Sequence, residues 1–128
     1  VFAHYSGEGG VAGKGPAWTR LVRFDDQWRR TGGWAFPSSV IEQFRPYSNS
    51  GGAWGPEGRL YVTGHDATEV YVLERPSAGG TLRLVDTLAF PGQGQGIAWD
   101  PSAPHVLYGI RRDDRTVVWA RLRVGGKQ

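Results

Sequence analysis

Residues 51–91, GGAWGPEGRLYVTGHDATEVYVLERPSAGGTLRLVDTLAFP, decide the fold class, because they read as four short strands in succession. The segment 51–54 is a run of small residues that ends in Trp before Gly-Pro, and 59–63 alternates after a Glu-Gly turn. The segment 69–74 is rich in β-branched and aromatic residues, and 82–90 alternates apolar and polar residues with period two. The stretch therefore predicts a four-stranded antiparallel meander, whose strands we name A to D in chain order.

Parts of this unit recur on both sides of it at nearly constant offsets. AWGP at 53–56 returns as AWDP 45 positions later, and LY at 60–61 returns 47 positions later. Towards the N-terminus, AFP at 89–91 is preceded by AFP at 35–37. Internal repetition at a period of roughly 40 to 50 residues is typical of blades, solenoids and arrays.

The repetition divides the chain into four segments within one all-β region. Residues 1–37 form a partial unit with strands B, C and D at 2–6, 17–24 and 28–36, and residues 38–50 are an insertion. Residues 51–91 form the full unit, and residues 92–124 form a second partial unit with strands A, B and C at 95–99, 106–110 and 116–123. The order of the strands is the same in each unit.

The insertion at 38–50 predicts a single helical turn. We expect Ser38 or Ser39 to cap this turn and Pro46 to end it. Its apolar residues are expected to hold the insertion against the sheet: Val40, Ile41 and Phe44. The corresponding connection after the full unit is only three residues long, so joining two units does not require the insertion. Long connections more often have a functional role than short ones. Because the apolar residues of the insertion pack on the sheet, its polar residues are free to line a surface.

Composition limits the class of protein and its partners. A chain of 128 residues is expected to form one domain, and Gly 20, Pro 8 and 12% aromatic residues favour many short strands. No apolar run reaches the length of a membrane span, and the net charge of +3 is too small to indicate nucleic acid as a partner. The absence of Cys excludes a disulfide framework and thiol catalysis. Because the chain begins with Val and has no Met, we expect a mature form or a fragment of a longer polypeptide.

These units resemble the blades of a β-propeller: an apolar A strand ends in Trp-x-Pro, a B strand reads Gly-x-Leu-Tyr, and the C and D strands form an alternating hairpin. The similarity is to bacterial six- or seven-bladed propellers, including exported NHL- and YncE-like proteins, and covers nearly the whole chain. It implies an all-β fold of about two and a half four-stranded antiparallel units, forming part of a larger or multi-chain propeller. It also implies an exported protein, either secreted or periplasmic. A β-sandwich, which needs no such repetition, is the alternative fold.

An incomplete propeller leaves apolar faces of its outer units bare. Propellers close their ring with roughly four to eight blades, and exposed apolar faces of this size are unusual in a monomer. We therefore expect the remaining blades to come from another chain, or the chain to associate with itself. Side chains expected to be partly exposed on such faces are Trp18, Trp28, Trp34, Val70, Val72, Val117 and Trp119.

The resemblance also predicts where the polar residues lie. In propellers the D-to-A and B-to-C connections lie on one face around the central channel, and in this chain those connections carry the richer set of polar side chains. The predicted ligand-binding residues are Glu42, Arg45, Tyr47, Asn49, His65, Asp66, Gln95 and Arg111. The function that follows is an exported binding or interaction module that recognises a small molecule, a glycan or a protein. The alternative is a hydrolase or lyase of the six-bladed propeller type with its site at the channel mouth.

The candidates for chemistry are few. His65 could act as a general base oriented by Asp66, but adjacent residues in a turn usually point apart and Asp is a common turn former. No catalytic residue is therefore assigned. The His residues have no metal-ligand spacing, so neither a metal nor another cofactor is predicted. Trp54 and Trp99 recur at one strand position and are interpreted as packing between units, with sugar stacking as the alternative.

Overall fold

A computed structural model of the chain describes residues 2–3 and 11–125, with the backbone alone described for Ala3. The predicted strand at 2–6 is described only over its first two residues. The rest of that strand, the first part of the following connection up to residue 10, and the C-terminal residues 126–128 lie outside the described residues.

Three antiparallel sheets follow one another along the chain. The first sheet has the order β1-β2-β3, with strands Phe2–Ala3, Arg20–Phe24 and Arg30–Ala35. The central sheet has the order β4-β5-β6-β7, with strands Gly51–Trp54, Leu60–Thr63, Glu69–Glu74 and Arg83–Ala89. The third sheet has the order β8-β9-β10, with strands Ala98–Trp99, Val106–Arg111 and Thr116–Arg121. The all-β class is confirmed, whereas no sheet closes on itself among the described residues and the propeller stays a prediction.

The four predicted strands of residues 51–91 are all present, with ends that differ by at most one residue. The strands predicted over 28–36 and 116–123 are each two residues too long at one end, and two other strand predictions were wrong by three residues at their starts. The strand expected over 17–24 starts only at Arg20, because Pro16–Trp18 forms a short 3-10 turn. The strand expected over 95–99 is reduced to Ala98–Trp99, because Gln95 has a φ of 67° and its backbone is not extended.

The central and third sheets pair their strands in the same register. In each sheet an Ala-Trp pair on one strand lies opposite a Leu-Tyr pair on the next. Corresponding cross-strand pairs are Ala53–Tyr61 with Ala98–Tyr108, and Tyr61–Val72 with Tyr108–Trp119. The sequence offset of 47 between the two LY pairs therefore relates residues at matching positions of the two sheets.

Both faces of the central sheet are buried. One face packs against the first sheet and the helix α1, Ser38–Phe44, in a core cluster that includes Leu21, Phe44, Val62 and Tyr71. The other face packs against the third sheet in a cluster that includes Tyr61, Val70, Val72 and Leu107. The prediction that Val70 and Val72 are partly exposed is therefore wrong: each is 0% exposed, because the third sheet covers them.

Exposed apolar side chains occur on the outward face of the third sheet and near the ends of β2, and Trp54 at the end of β4 is exposed as well. Trp18, Trp28, Val117 and Trp119 are all exposed, as predicted. Val117 and Trp119 lie on β10, whereas Trp18 lies in the 3-10 turn before β2 and Trp28 in the turn after it. Trp34 is partly buried and packs against the first core cluster. The central sheet is thus the only one of the three with a covering layer on each side among the described residues.

The predicted helical turn is present as α1, and its apolar residues Val40, Ile41 and Phe44 are buried as expected. The Phe44 ring packs edge-on against the Tyr71 ring, with 5.6 Å between their centroids. The predicted serine cap was wrong. Pro37 occupies the N-cap position, and its carbonyl accepts the first helical hydrogen bonds while no side chain caps the helix.

Candidate functional site

The chain connections at one end of the sheets form a continuous surface, which we call the loop surface. It consists of residues 36–50, 64–68, 90–97 and 112–115. These connections are neighbours because β4 begins at this end of the central sheet and β5 ends there. The side chain of Thr63, the last residue of β5, donates a hydrogen bond to the carbonyl of Gln95 at 3.3 Å.

Arg112 joins three of these connections. Its Nη2 donates to the carbonyl oxygen of His65 at 2.8 Å and to Oδ1 of Asp66 at 3.0 Å. Its Nε donates to the carbonyl oxygen of Gln93 at 3.0 Å. Because a guanidinium group has five N–H donors in a rigid planar arrangement, one side chain can hold several loops in fixed positions.

The imidazole of His65 is engaged at both ring nitrogens. Nδ1 lies 2.6 Å from Oδ1 of Asp66, and Nε2 lies 3.1 Å from Nη1 of Arg112. A neutral ring with its proton on Nδ1 satisfies both contacts, since Nδ1 then donates to the carboxylate and Nε2 accepts from the guanidinium. The side chains of His65 and Asp66 therefore interact, contrary to the expectation that neighbours in a turn point apart. The hydrogen bonds from His65 and then from Arg112 lower the pKa of the Asp66 carboxyl group.

Tyr47 brings the insertion into the same cluster. Its ring stacks on the His65 imidazole with 3.9 Å between ring centroids and an interplanar angle of 30°. The end of α1 determines the position of Tyr47, because the Tyr47 N–H donates to the carbonyl of Phe44 at 3.0 Å. Residues from four connections thus meet within one cluster.

The connection 90–97, which precedes β8, packs directly against the backbone of His65. Gly94 has a φ of +67°, and a Cβ atom at this position would lie 2.7 Å from the carbonyl oxygen of His65, so only glycine fits without a shift of the backbone. The Gln93 side-chain amide donates to Asp113 at 3.0 Å, whereas its Oε1 is buried without a partner among the described residues. This close packing fixes the two loops relative to each other.

The structure brings together Tyr47, His65 and Asp66 from the predicted set. Glu42 and Arg45 form an ion pair with each other at 3.0 Å, at the exposed end of α1. Arg111 pairs with Asp114 at 2.5 Å instead of joining the cluster.

Two further predicted residues occupy different environments. Gln95 is exposed, and its backbone carbonyl is the group that contacts the central sheet. Asn49 is only 2% exposed, beside Ser48, whose hydroxyl shares a hydrogen bond of 2.5 Å with that of Thr19. Asn49 therefore belongs to a connection of the loop surface, but its side chain is held inside the protein.

The predicted set omitted Gln93 and Arg112, although both lie in connections that the sequence assigned to this face. Arg111 and Arg112 are adjacent residues of one type, and the sequence contains no signal that distinguishes the arginine that turns inward. Arg112 turns towards His65, whereas Arg111 is held by Asp114.

Comparisons with known proteins identify no relative of the chain. The chain matches no family model, and comparison with curated proteins and with solved structures gives no match. Within residues 2–3 and 11–125, no three His, Asp or Glu side chains lie close enough together to hold a metal ion. No helix of this part of the chain is long and apolar enough to cross a membrane.

Proposed function

We propose that the chain is a binding module built from propeller-like units, and that it contacts a ligand or partner protein through the loop surface. The observation that carries this proposal is the contact network of Arg112, which joins three connections that are far apart in sequence. Loops held rigidly at one end of a sheet scaffold are a common arrangement for recognition sites. Export from a bacterial cell is part of the same proposal.

The geometry favours binding over catalysis. A general base needs a free acceptor atom within reach of the substrate, and both nitrogens of His65 are already engaged. A hydrolase or lyase of the six-bladed type would also require Glu42 and Gln95 to converge on His65. Glu42 instead pairs with Arg45, and the Gln95 side chain is exposed.

The groups available to a ligand are those that the network leaves accessible. The Asp66 side chain is 65% exposed even though Arg112 and His65 both contact it. The exposed ion pair of Glu42 and Arg45 lies at the end of α1 on the same surface. Because charges of both signs are present, the surface is suited to a polar ligand of small net charge.

The outward face of the third sheet supports the further proposal that additional units cover it. Tyr61, Val70 and Val72 of the central sheet are buried by the third sheet. Their counterparts 47 positions later are exposed by 38%, 71% and 61%: Tyr108, Val117 and Trp119. Since the matching face of the central sheet is covered by another antiparallel sheet, the occupant that fits here is a further sheet of the same kind, from another chain or from a second copy.

Amide NMR spectra of the labelled chain, recorded against a library of small polar fragments, test the binding proposal. Fragments should shift the amide signals of Tyr47, Asp66 and Gln93. For any fragment that does so, Arg45→Ala should weaken binding by about 1 to 3 kcal/mol, which is typical for the loss of a polar contact. His65→Ala should weaken it by a similar amount, because Tyr47 and Asp66 lose the ring that positions them. Arg121→Ala, an exposed arginine of the third sheet, is the control and should leave the affinity unchanged. Fragment shifts confined to other surfaces, or full affinity in both loop variants, would refute the assignment.

A further inference from the structure

A cleft opens at the end of the sheets opposite the loop surface, between the β2–β3 hairpin and the central sheet. Its volume is about 490 Å³, within the range of sites for small organic ligands. Three of the six tryptophans of the chain line it, together with charged side chains. The residues that define this tryptophan cleft are Arg23, Asp26, Trp28, Trp34, Trp54 and Arg75.

Trp28 has an unfavourable backbone conformation. Its φ is 58°, a region in which bulky side chains are rare, and its side chain is 76% exposed. The hairpin is held around it by Asp25, whose carboxylate accepts from the N–H groups of Gln27 and Arg29 at 2.9 Å each. A glycine would adopt this φ without strain, and among the described residues Trp28 gains in return only the contact of its exposed ring with that of Phe24, with 5.9 Å between centroids. Backbone strain of this type clusters at ligand-contacting positions.

The other two indole rings are held in place by arginines. The Arg23 guanidinium lies 5.8 Å from the centre of the Trp34 ring, and that of Arg75 lies 5.4 Å from the centre of the Trp54 ring. Trp54 remains 49% exposed, whereas its counterpart Trp99 packs edge-on against Tyr61 with 4.8 Å between centroids. Packing between sheets therefore accounts for Trp99 but leaves the exposure of Trp54 unexplained.

We infer that the tryptophan cleft binds an oligosaccharide. Indole faces carry partial negative charge and accept the C–H face of a pyranose ring, while hydroxyl groups of the sugar can bond to a carboxylate and a guanidinium at the rim. Asp26 supplies a carboxylate that makes no bond to another described residue, and Arg75 supplies the guanidinium. A cationic ligand fits less well, because it would lie close to the guanidinium groups of Arg23 and Arg75, which line the cleft and repel it. A wholly apolar ligand would leave these charged groups desolvated without partners.

Titration of the full chain with cellotetraose, chitotetraose and tetragalacturonate, monitored by tryptophan fluorescence, tests this inference. At least one of the three should give a saturable change with a dissociation constant below about 10 mM. Trp28→Gly should weaken that binding by about tenfold or more, because it removes one stacking face. Trp119→Thr, which removes an exposed indole from the outward face of the third sheet, is the matched control and should bind with the affinity of the wild type.

Trp28→Gly also separates binding from folding. Because glycine adopts positive φ readily, this variant should unfold at the same urea concentration as the wild type or at a higher one. The inference is wrong if none of the three sugars saturates the signal, or if Trp28→Gly binds as well as the wild type. Tighter binding of tetramethylammonium than of any sugar would also overturn it, since the site would then be a cation-binding aromatic cage.

Discussion

Replacing Arg112 with Ala should destabilise the protein much more than replacing its neighbour Arg111. The two residues are adjacent and have the same charge, with Arg111 ending β9 and Arg112 beginning the turn that follows, so the pair forms its own control. They differ in their partners: Arg112 donates to backbone carbonyls of two other loops, whereas Arg111 donates to the side chain of Asp114, three residues away.

The expected magnitude follows from these contacts. Loss of Arg112 leaves the carbonyl groups of His65 and Gln93 without this donor, and a hydrogen bond from a charged group contributes about 1.5 to 3 kcal/mol when shielded from water. The Arg112 side chain is 32% exposed and water can replace part of the loss, so we expect the free energy of unfolding to fall by about 2 to 3 kcal/mol in total. The ion pair of Arg111 with Asp114 is exposed to solvent, which screens it, so Arg111→Ala should lower the free energy of unfolding much less than Arg112→Ala.

Urea unfolding at neutral pH, followed by circular dichroism, measures both values. Arg112→Lys should resemble Arg112→Ala, because an ammonium group cannot reach all of the separated acceptors at once. Equal losses for Arg111→Ala and Arg112→Ala would refute the claim that Arg112 holds the loop surface together. The same conclusion would follow if the loss for Arg112→Ala were below about 0.5 kcal/mol, the range of ordinary surface substitutions.

Further predictions concern acid stability and the bare sheet face. Because the folded state lowers the pKa of Asp66, its stabilising contribution is present above the ordinary carboxyl range near pH 4 and is lost as the pH falls below it. Asp66→Asn should therefore lose less stability than the wild type between about pH 5 and pH 2 in urea unfolding, and equal losses would contradict the assigned contacts. Val72→Thr, at a 0% exposed position, should lower the free energy of unfolding by about 1 to 3 kcal/mol. Trp119→Thr at the matching exposed position should change the free energy of unfolding by less than about 1 kcal/mol. It should also reduce self-association in sedimentation. Wild-type chains that sediment as monomers at all concentrations would contradict the proposed interface on the outward face of the third sheet.

Local sequence determined the strands of the central sheet and the helix that precedes it. The alternation and β-branched residues of 69–74 and the Gly and Pro residues between strands act within a few residues of chain, so their effect is visible without the fold. The burial of Val40, Ile41 and Phe44 was predictable for the same reason, because their spacing places them on one side of a helical turn. The resemblance to propeller blades predicted that one surface carries Tyr47, His65 and Asp66. The role of these residues in binding stays a proposal.

Tertiary structure decided which of several equivalent residues are buried. Val72 and Trp119 occupy matching strand positions, yet one is covered by the third sheet and the other faces outward. Trp54 and Trp99 differ in the same way, and so do Arg111 and Arg112 in the direction of their side chains. The local sequence pattern is the same within each pair. Such a pattern indicates that a residue can pack on a sheet or extend from a turn, but not which group lies opposite it. Whether a sheet or a loop lies opposite depends on contacts between distant parts of the chain, and those contacts determine the burial, the partners and hence the surface that a ligand meets.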